Sequence, residues 1–254
     1  MMTEQALSPP VCGHQWIEIP AGFSCLGSDD TDPYAGEKER PLREVFIPTF
    51  LISKFPTTNE QIAAFYAATG WEPHPEWSAW WRRLREDERA EHRRFPATHV
   101  SWDIAAAYSA WLGEEHDKAI GLPTEAEWEK AARGGDARIW PWGDVFDPSR
   151  CCCAELGNND FCSVDDFASG CSPFGVAHMS GLVWEWCIDH HHADNHASAE
   201  TFAPANFTPA RQRVVKGGSA FCTKEIVRIA CRDWTNQINQ GGGDDGFRVV
   251  WHVR

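Results

Sequence analysis

The sequence is short of positive charge, and this shortage excludes one large class of function. Lys and Arg number 23 against 37 Asp and Glu, which gives a formal net charge of −14. Proteins that bind nucleic acid contact its phosphates with a basic surface, so we expect no nucleic-acid partner. An acidic surface instead favours cations or basic partners.

Long apolar segments and export signals are also lacking. No apolar run approaches the roughly 20 residues needed to cross a bilayer, so we expect no membrane association. The N-terminal residues MMTEQALSPP have neither the basic start nor the apolar core of a signal peptide. The sequence therefore predicts a cytoplasmic protein.

Tryptophan and cysteine, by contrast, are abundant, with 14 and 10 residues. In a reducing compartment so many thiols are expected to be metal ligands, reactive groups or buried apolar side chains rather than disulfides. A chain of 254 residues can bury a sizeable core. We assign residues 1–14 to a flexible N-terminal arm and residues 15–254 to a single domain.

Three helices are predicted by their capping residues. The caps are Thr58 with Gln61, Ser101, and Thr124 with Glu127. Gly70 and Gly134 can end the first and the last of these helices. Short strands are predicted at 16–27, 44–53, 212–215, 227–231 and 247–252. Helices followed by an irregular region rich in Gly, Pro and Asn favour an α+β domain.

Residues 71–96 form a charged insertion rich in tryptophan, for which two interpretations remain. Trp77, Trp80 and Trp81 recur at helical spacing and are followed by six Arg residues among acids. They could form a basic arm with an aromatic platform. The alternating charges favour a solvated helix whose tryptophans pack on the core.

Seven motifs then occur in a fixed order along the chain. They are PATHVSWD (96–103), GLPTEAEWEKAARGG (121–135), WPWGD (140–144), SPFGVAHMSGLVWEW (172–186), KGGS (216–219), RIACR (228–232) and GFRVV (246–250). Together they resemble the formylglycine-generating enzyme family, also called sulfatase-modifying-factor domains. The resemblance implies a single α+β domain, related to the C-type lectin fold, with little regular secondary structure.

The resemblance implies more than one function, because members of the family diverge. Some oxidise a cysteine of sulfatases to formylglycine with copper held by two cysteines near the C-terminus. Others form the substrate-binding half of sulfoxide synthases, and others only bind ligands. The fold alone therefore does not decide the function.

The copper-binding pattern of the family is only half present. Where the family has GGS-x-x-C-x-x-x-x-C, this chain has Ser219 and Cys222, but Val227 at the position of the second cysteine. Cu(I) favours two thiolates, so standard formylglycine formation is not predicted. We predict Ser219 and Cys222 as catalytic residues, with Cys222 also a ligand of copper or iron and Cys231 a candidate second ligand. A buried, inert Cys222 is the alternative.

Other metal sites are also candidates. His190, His192 and His196 suit a transition metal, or form a surface loop that binds metal only adventitiously. Glu185 could bind calcium, although Leu182 replaces the Asn that the family usually carries in the preceding turn. Zinc could be held by Cys162, Cys171 and part of Cys151–Cys153, where disulfides or free thiols are equally compatible.

Two functions from different classes follow. The first is a metal- or thiol-dependent oxidoreductase of this family that modifies a protein or a small thiol. The alternative is a non-catalytic, C-type-lectin-like module that binds a peptide, a small molecule or a protein partner. The predicted ligand-binding residues are Trp184, Trp186, Arg228, Arg232 and Trp234.

Overall fold

A computed structural model describes residues 13–157, 160–190, 213–233 and 242–253. Within these ranges five α-helices form: α1 (Asn59–Thr69), α2 (Pro75–Arg83), α3 (Glu86–His92), α4 (Trp102–His116) and α5 (Glu125–Arg133). The strands are β1 (Trp16–Ile19), β2 (Gly22–Leu26), β3 (Arg43–Ile47), β4 (Phe50–Ser53), β5 (Ile120–Gly121), β6 (Trp184–His190), β7 (Arg213–Lys216), β8 (Arg232–Asp233), β9 (Asp245–Gly246) and β10 (Val250–His252). The predicted α+β class is confirmed.

The strands form three small sheets. One has the order β1-β4-β10-β5, so it brings the two ends of the domain together, and β2 pairs with β3 as a hairpin. The third has the order β8-β7-β6-β9. All pairs are antiparallel except β6 with β9. This third sheet carries the GLVWEW and KGGS motifs side by side.

The three capped helices form as predicted because their caps are local. The side chain of Thr58 accepts a hydrogen bond from the amide of Gln61, and that of Thr124 accepts one from Glu127, with the reciprocal bond present in both. Ser101 caps α4. Gly70 ends α1 at φ 74°, a left-handed conformation that glycine adopts without strain.

The strand predictions need several corrections. Segment 44–53 is split between β3 and β4 at Pro48, which has no amide hydrogen for a ladder. Residues 227–231 form turns rather than a strand, and 247–252 is a strand only from Val250. In both segments apolar side chains are buried by loop packing, which an apolar sequence pattern does not distinguish from a strand.

The insertion follows the second of its two interpretations. Trp77 is buried in the main apolar cluster, and Trp80 and Trp81 pack against that cluster. Helix α3, which follows, has no buried residue. The predicted arm lies mostly outside the described residues, but its last residue, His14, is buried and lies 2.8 Å from the hydroxyl of Tyr108.

Helix α5, which bears the GLPTEAEWEKAARGG motif, is buried along its whole length. Its charged side chains are therefore paired. Nζ of Lys216 lies 2.8 Å from Oε1 of Glu129, and Arg133 contacts the other oxygen of that carboxylate. Buried charges need partners of this kind because their desolvation is costly.

No described helix has the length and apolar character needed to cross a membrane.

Candidate functional site

The KGGS motif makes the turn that presents Cys222. Gly217 and Gly218 have φ values of 97° and 71°. A Cβ on Gly218 would lie 2.8 Å from a methyl group of Val227, so both the backbone and the space require glycine there. Ser219 is fully buried, whereas Cys222 is half-buried at the end of the turn.

Ser219 and Cys222 contact each other as side chains. The Oγ atom of Ser219 lies 3.4 Å from Sγ of Cys222. Burial raises the pKa of the Cys222 thiol above its usual value, and the hydrogen bonds from Ser219 oppose that rise. The thiol is therefore protonated at neutral pH unless a metal or a reaction partner displaces the proton.

The second sulfur near this turn is that of Cys231. Val227, at the position where the resemblance leads us to expect a second cysteine, is fully buried and offers no metal donor. Burial raises the pKa of Cys231 to about 12, and the negative charge of Glu39 adds to this rise.

The carboxylate of Glu185 forms a buried ion pair and does not face an open metal site. Its two oxygens accept hydrogen bonds from Arg248, at 2.5 and 2.7 Å, and from Nε1 of Trp128 at 2.7 Å. Both oxygens are engaged and the side chain is buried, so we leave Glu185 out of the proposed metal site. Leu182 keeps the left-handed conformation, φ 73°, that Asn adopts more readily, but it offers no oxygen.

Four of the predicted ligand-binding residues lie in the described ranges and are buried. Trp184 and Trp186 belong to the main apolar cluster, and Nε1 of Trp186 donates to the carbonyl of Val100 at 2.7 Å. Arg228 is paired with Asp32 and Glu39. These three positions present little surface to a ligand, because their side chains are used inside the fold.

Arg232 lies in the third sheet beside Cys231. Its Nη2 atom contacts a carboxylate oxygen of Glu125 at 2.8 Å, whereas Nε and Nη1 have no hydrogen-bond partner among the described residues. His190 ends β6 opposite Arg213. His192, His196 and Trp234 lie outside the described residues.

Four of the other cysteines interact in two pairs. Cys151 interacts with Cys153, and Cys152 with Cys162. No group of three or more potential ligands with the spacing of a zinc site includes any of them in the described part of the chain. Cys222 packs against the apolar cluster that contains Cys151 and Cys153.

One group of potential ligands was missed by the sequence reasoning. His74, Glu76 and His99 come together between the start of α2 and the segment before α4. Two of the three lie two residues apart, but the third is separated by more than twenty positions and no helical or strand period links them. The pairing could be found only in three dimensions.

The fold and the thiol-bearing glycine turn define a sulfatase-modifying type of domain. The chain matches the sulfatase-modifying factor enzyme 1-like domain over residues 5–253, and it belongs to this family. It is 31% identical to the formylglycine-generating enzyme of Thermomonospora curvata, with 96% of this chain and 95% of that protein covered.

Two further comparisons give an inactive relative and a solved structure. The inactive C-alpha-formylglycine-generating enzyme 2 of Bos taurus is 32% identical, with 70% of this chain and 71% of that protein covered. The structure of PvdO from Pseudomonas aeruginosa has a TM-score of 0.80 at 24% identity and covers 98% of this chain and 100% of its own. The likeness to the PvdO structure supports the assignment of the fold.

Proposed function

We propose that this chain is a thiol-dependent oxidoreductase that acts on a cysteine-containing peptide or a small thiol, with Cys222 as its reactive sulfur. The observation that carries the proposal is the contact between Ser219 and Cys222 at the half-buried end of the glycine turn. A hydroxyl at 3.4 Å stabilises the thiolate, and partial exposure gives a substrate access. The similarity to a protein named formylglycine-generating enzyme supports an activity of this class.

The donor set at this turn fits a soft metal ion such as Cu(I). Sulfur is the donor that Cu(I) prefers, and Cys231 offers a second thiol nine positions after Cys222. Copper bound there would supply the redox chemistry with oxygen. Cys222 and Cys231 would hold the ion as thiolates, which requires both to release protons that burial otherwise retains.

The alternative function is that of a non-catalytic binding module. Two observations favour it: Val227 replaces the second cysteine of the family pattern, and burial keeps Cys222 protonated at neutral pH. A relative named as inactive is also as similar to this chain as one named as an enzyme. In this case Cys222 would only pack against the core.

Metal titration combined with a peptide assay distinguishes the two functions. Anaerobic protein without a His tag is titrated with Cu(I), and a cysteine peptide is followed by mass spectrometry under air with a thiol reductant. Cys222→Ser and Cys231→Ser should each weaken Cu(I) binding at least about tenfold, as expected when a metal loses a ligand. Cys25→Ser, at another half-buried thiol, is the matched control.

The results of these assays distinguish the enzyme from the binding module. If Cys222→Ser abolishes peptide oxidation and Cys25→Ser does not, the enzyme function is supported. If Cu(I) binding and peptide oxidation are the same in all three variants and the wild type, the proposal fails. The binding module then remains, and a screen of immobilised peptides for binding becomes the appropriate experiment.

A further inference from the structure

Away from the Cys222 turn, three metal-ligating side chains meet where the insertion joins the domain. One ligand atom each from His74, Glu76 and His99 lies within 4.8 Å of the others. Within residues 13–157, 160–190, 213–233 and 242–253 no other group of three or more His, Cys, Asp or Glu side chains meets this condition. Two imidazoles and a carboxylate are a donor set that first-row divalent metals use.

One ligand pair of this group has the spacing of two ligands of one ion rather than of a good hydrogen bond. Nδ1 of His99 lies 3.4 Å from Oε2 of Glu76. A good N–H···O hydrogen bond is shorter, about 2.7–3.2 Å. Two ligands bound tetrahedrally at about 2.0–2.1 Å from a zinc ion would be about 3.3–3.4 Å apart. The rings of His74 and His99 are stacked, with centroids 5.3 Å apart and planes inclined by 16°.

The backbone holds both histidines in place. His99 adopts a left-handed conformation, φ 54°, which costs free energy in a residue with a side chain and persists only where the surroundings impose it. His74 caps α2, and its Nδ1 accepts a long hydrogen bond, 3.3 Å, from the amide of Glu76. The Nδ1 lone pair is directed at that amide, so a metal ion bound at Nδ1 would replace this long hydrogen bond.

The group is open to solvent on one side and to a cavity on the other. The side chain of Glu76 is 73% exposed and that of His99 23% exposed, so an ion can enter and Glu76 can adjust. His99 also borders a cavity of about 280 Å³ whose wall includes the rings of Trp77, Trp80 and Phe95. Asp244 adds a negative charge near His99.

We propose that His74, Glu76 and His99 form a binding site for a first-row divalent transition metal, for which Zn²⁺ is the appropriate probe. Three protein ligands leave a fourth position for water or for a small ligand in the aromatic cavity. The site is independent of the Cys222 turn, and it fixes the tryptophan-rich insertion to the segment that precedes α4.

Zinc titration of the full-length, untagged, metal-free protein tests this proposal. Wild type should bind Zn²⁺ in a saturable manner, and Glu76→Gln and His99→Ala should weaken this binding by about 10–100-fold or more. Co²⁺ should give the visible absorption of a tetrahedral complex in wild type and lose it in both variants. Glu76→Gln changes a mostly exposed side chain, so its metal-free unfolding midpoint should match that of wild type.

Two control variants remove other sources of binding. Cys222→Ser should retain the Zn²⁺ binding that Glu76→Gln and His99→Ala weaken, and so should a variant with His191, His192 and His196 changed to Ala. The proposal is overturned if wild type shows no saturable binding. It is also overturned if Glu76→Gln and His99→Ala bind like wild type, including the case in which the triple histidine variant alone loses the ion. None of these results depends on the function proposed for Cys222.

Discussion

Arg228 and Glu39 form a two-pronged ion pair across 189 positions of the chain. Nη1 and Nη2 of the arginine lie 2.7 and 2.9 Å from the two carboxylate oxygens, and Nη1 also contacts Asp32 at 2.7 Å. All three side chains are buried. Arg228, the first residue of the RIACR motif, therefore holds the 32–39 loop against the core. In the described structure its side chain stabilises the fold and does not face a ligand.

Replacement of this arginine should destabilise the fold. Arg228→Met leaves two buried carboxylates without their cation, and we expect the free energy of unfolding to fall by about 3–5 kcal/mol, measured in urea. Arg85→Met removes two ion pairs, with Asp87 and Glu88, of an arginine side chain that is 72% exposed, and should cost less than about 1 kcal/mol. An Arg228→Met variant as stable as wild type would contradict this internal role.

The sequence was most informative where the physical cause is local. Thr58 and Thr124 each find their partner three residues away, so the helix starts could be read directly from the chain. The fold class followed from motifs in a fixed order. The partners of Arg228 and Glu185 could not be read in this way, because each lies in another motif or loop more than fifty positions distant.

The same contrast applies to the candidate sites. The glycine turn and Cys222 follow from one short motif, and the structure adds only the contact with Ser219. Trp184 and Trp186 look like binding residues in sequence, since aromatic side chains suit both a cleft and a core. In the structure Trp186 is part of the core, because it is fully buried and donates a hydrogen bond to the carbonyl of Val100. His99 could not be associated with His74 without the fold.

A cysteine at position 227 should create the two-sulfur pattern that the resemblance in sequence leads us to expect. Val227 is buried in the cluster against which Cys222 packs, and cysteine fits there with a loss of less than one methyl group in size. We expect Val227→Cys to bind Cu(I) at least about tenfold more tightly than wild type. Val227→Ala, which loses volume without gaining sulfur, is the control. Equal affinity in both variants would show that the turn does not place the two sulfurs together.

The reactivity of Cys222 should depend on pH in a defined way. Burial raises the pKa of this thiol above its usual value near 9, and the thiolate is the form that attacks iodoacetamide, displacing iodide. In metal-free protein we expect labelling of Cys222 to be slow at pH 7 and to accelerate above pH 9. Ser219→Ala should slow it further at each pH, since the hydroxyl stabilises the thiolate. Rapid labelling at pH 7 would contradict the assignment; peptide mass spectrometry gives the rate.

A buried aspartate in the third sheet should make the stability of the protein depend on pH. Asp189 accepts a hydrogen bond from the amide of Glu125 at 2.7 Å, and burial, with the charge of Glu125, raises its pKa from 3.8 to about 7. Between pH 4 and pH 7 the folded protein then binds more of this proton than the unfolded chain does. The contribution of Asp189 to the free energy of unfolding is thus fully present below about pH 4 and is lost as the pH rises through 7.

Asp189→Asn removes this dependence while its side-chain oxygen can still accept the bond from Glu125. Relative to wild type, the free energy of unfolding of the variant should therefore increase between pH 4 and pH 7, by on the order of 1–3 kcal/mol. His14 and His178, whose pKa values burial lowers to about 3 and about 4, give the opposite slope in both proteins and cancel in the difference. Asp30→Asn, at a side chain that is 94% exposed, is the control. The prediction is contradicted if the difference in free energy of unfolding between Asp189→Asn and wild type stays constant from pH 4 to pH 7. Asp189 would then be ionised throughout this range. Arg232 and Arg213 would in that case compensate the negative charges near the start of α5 more fully than their contacts indicate.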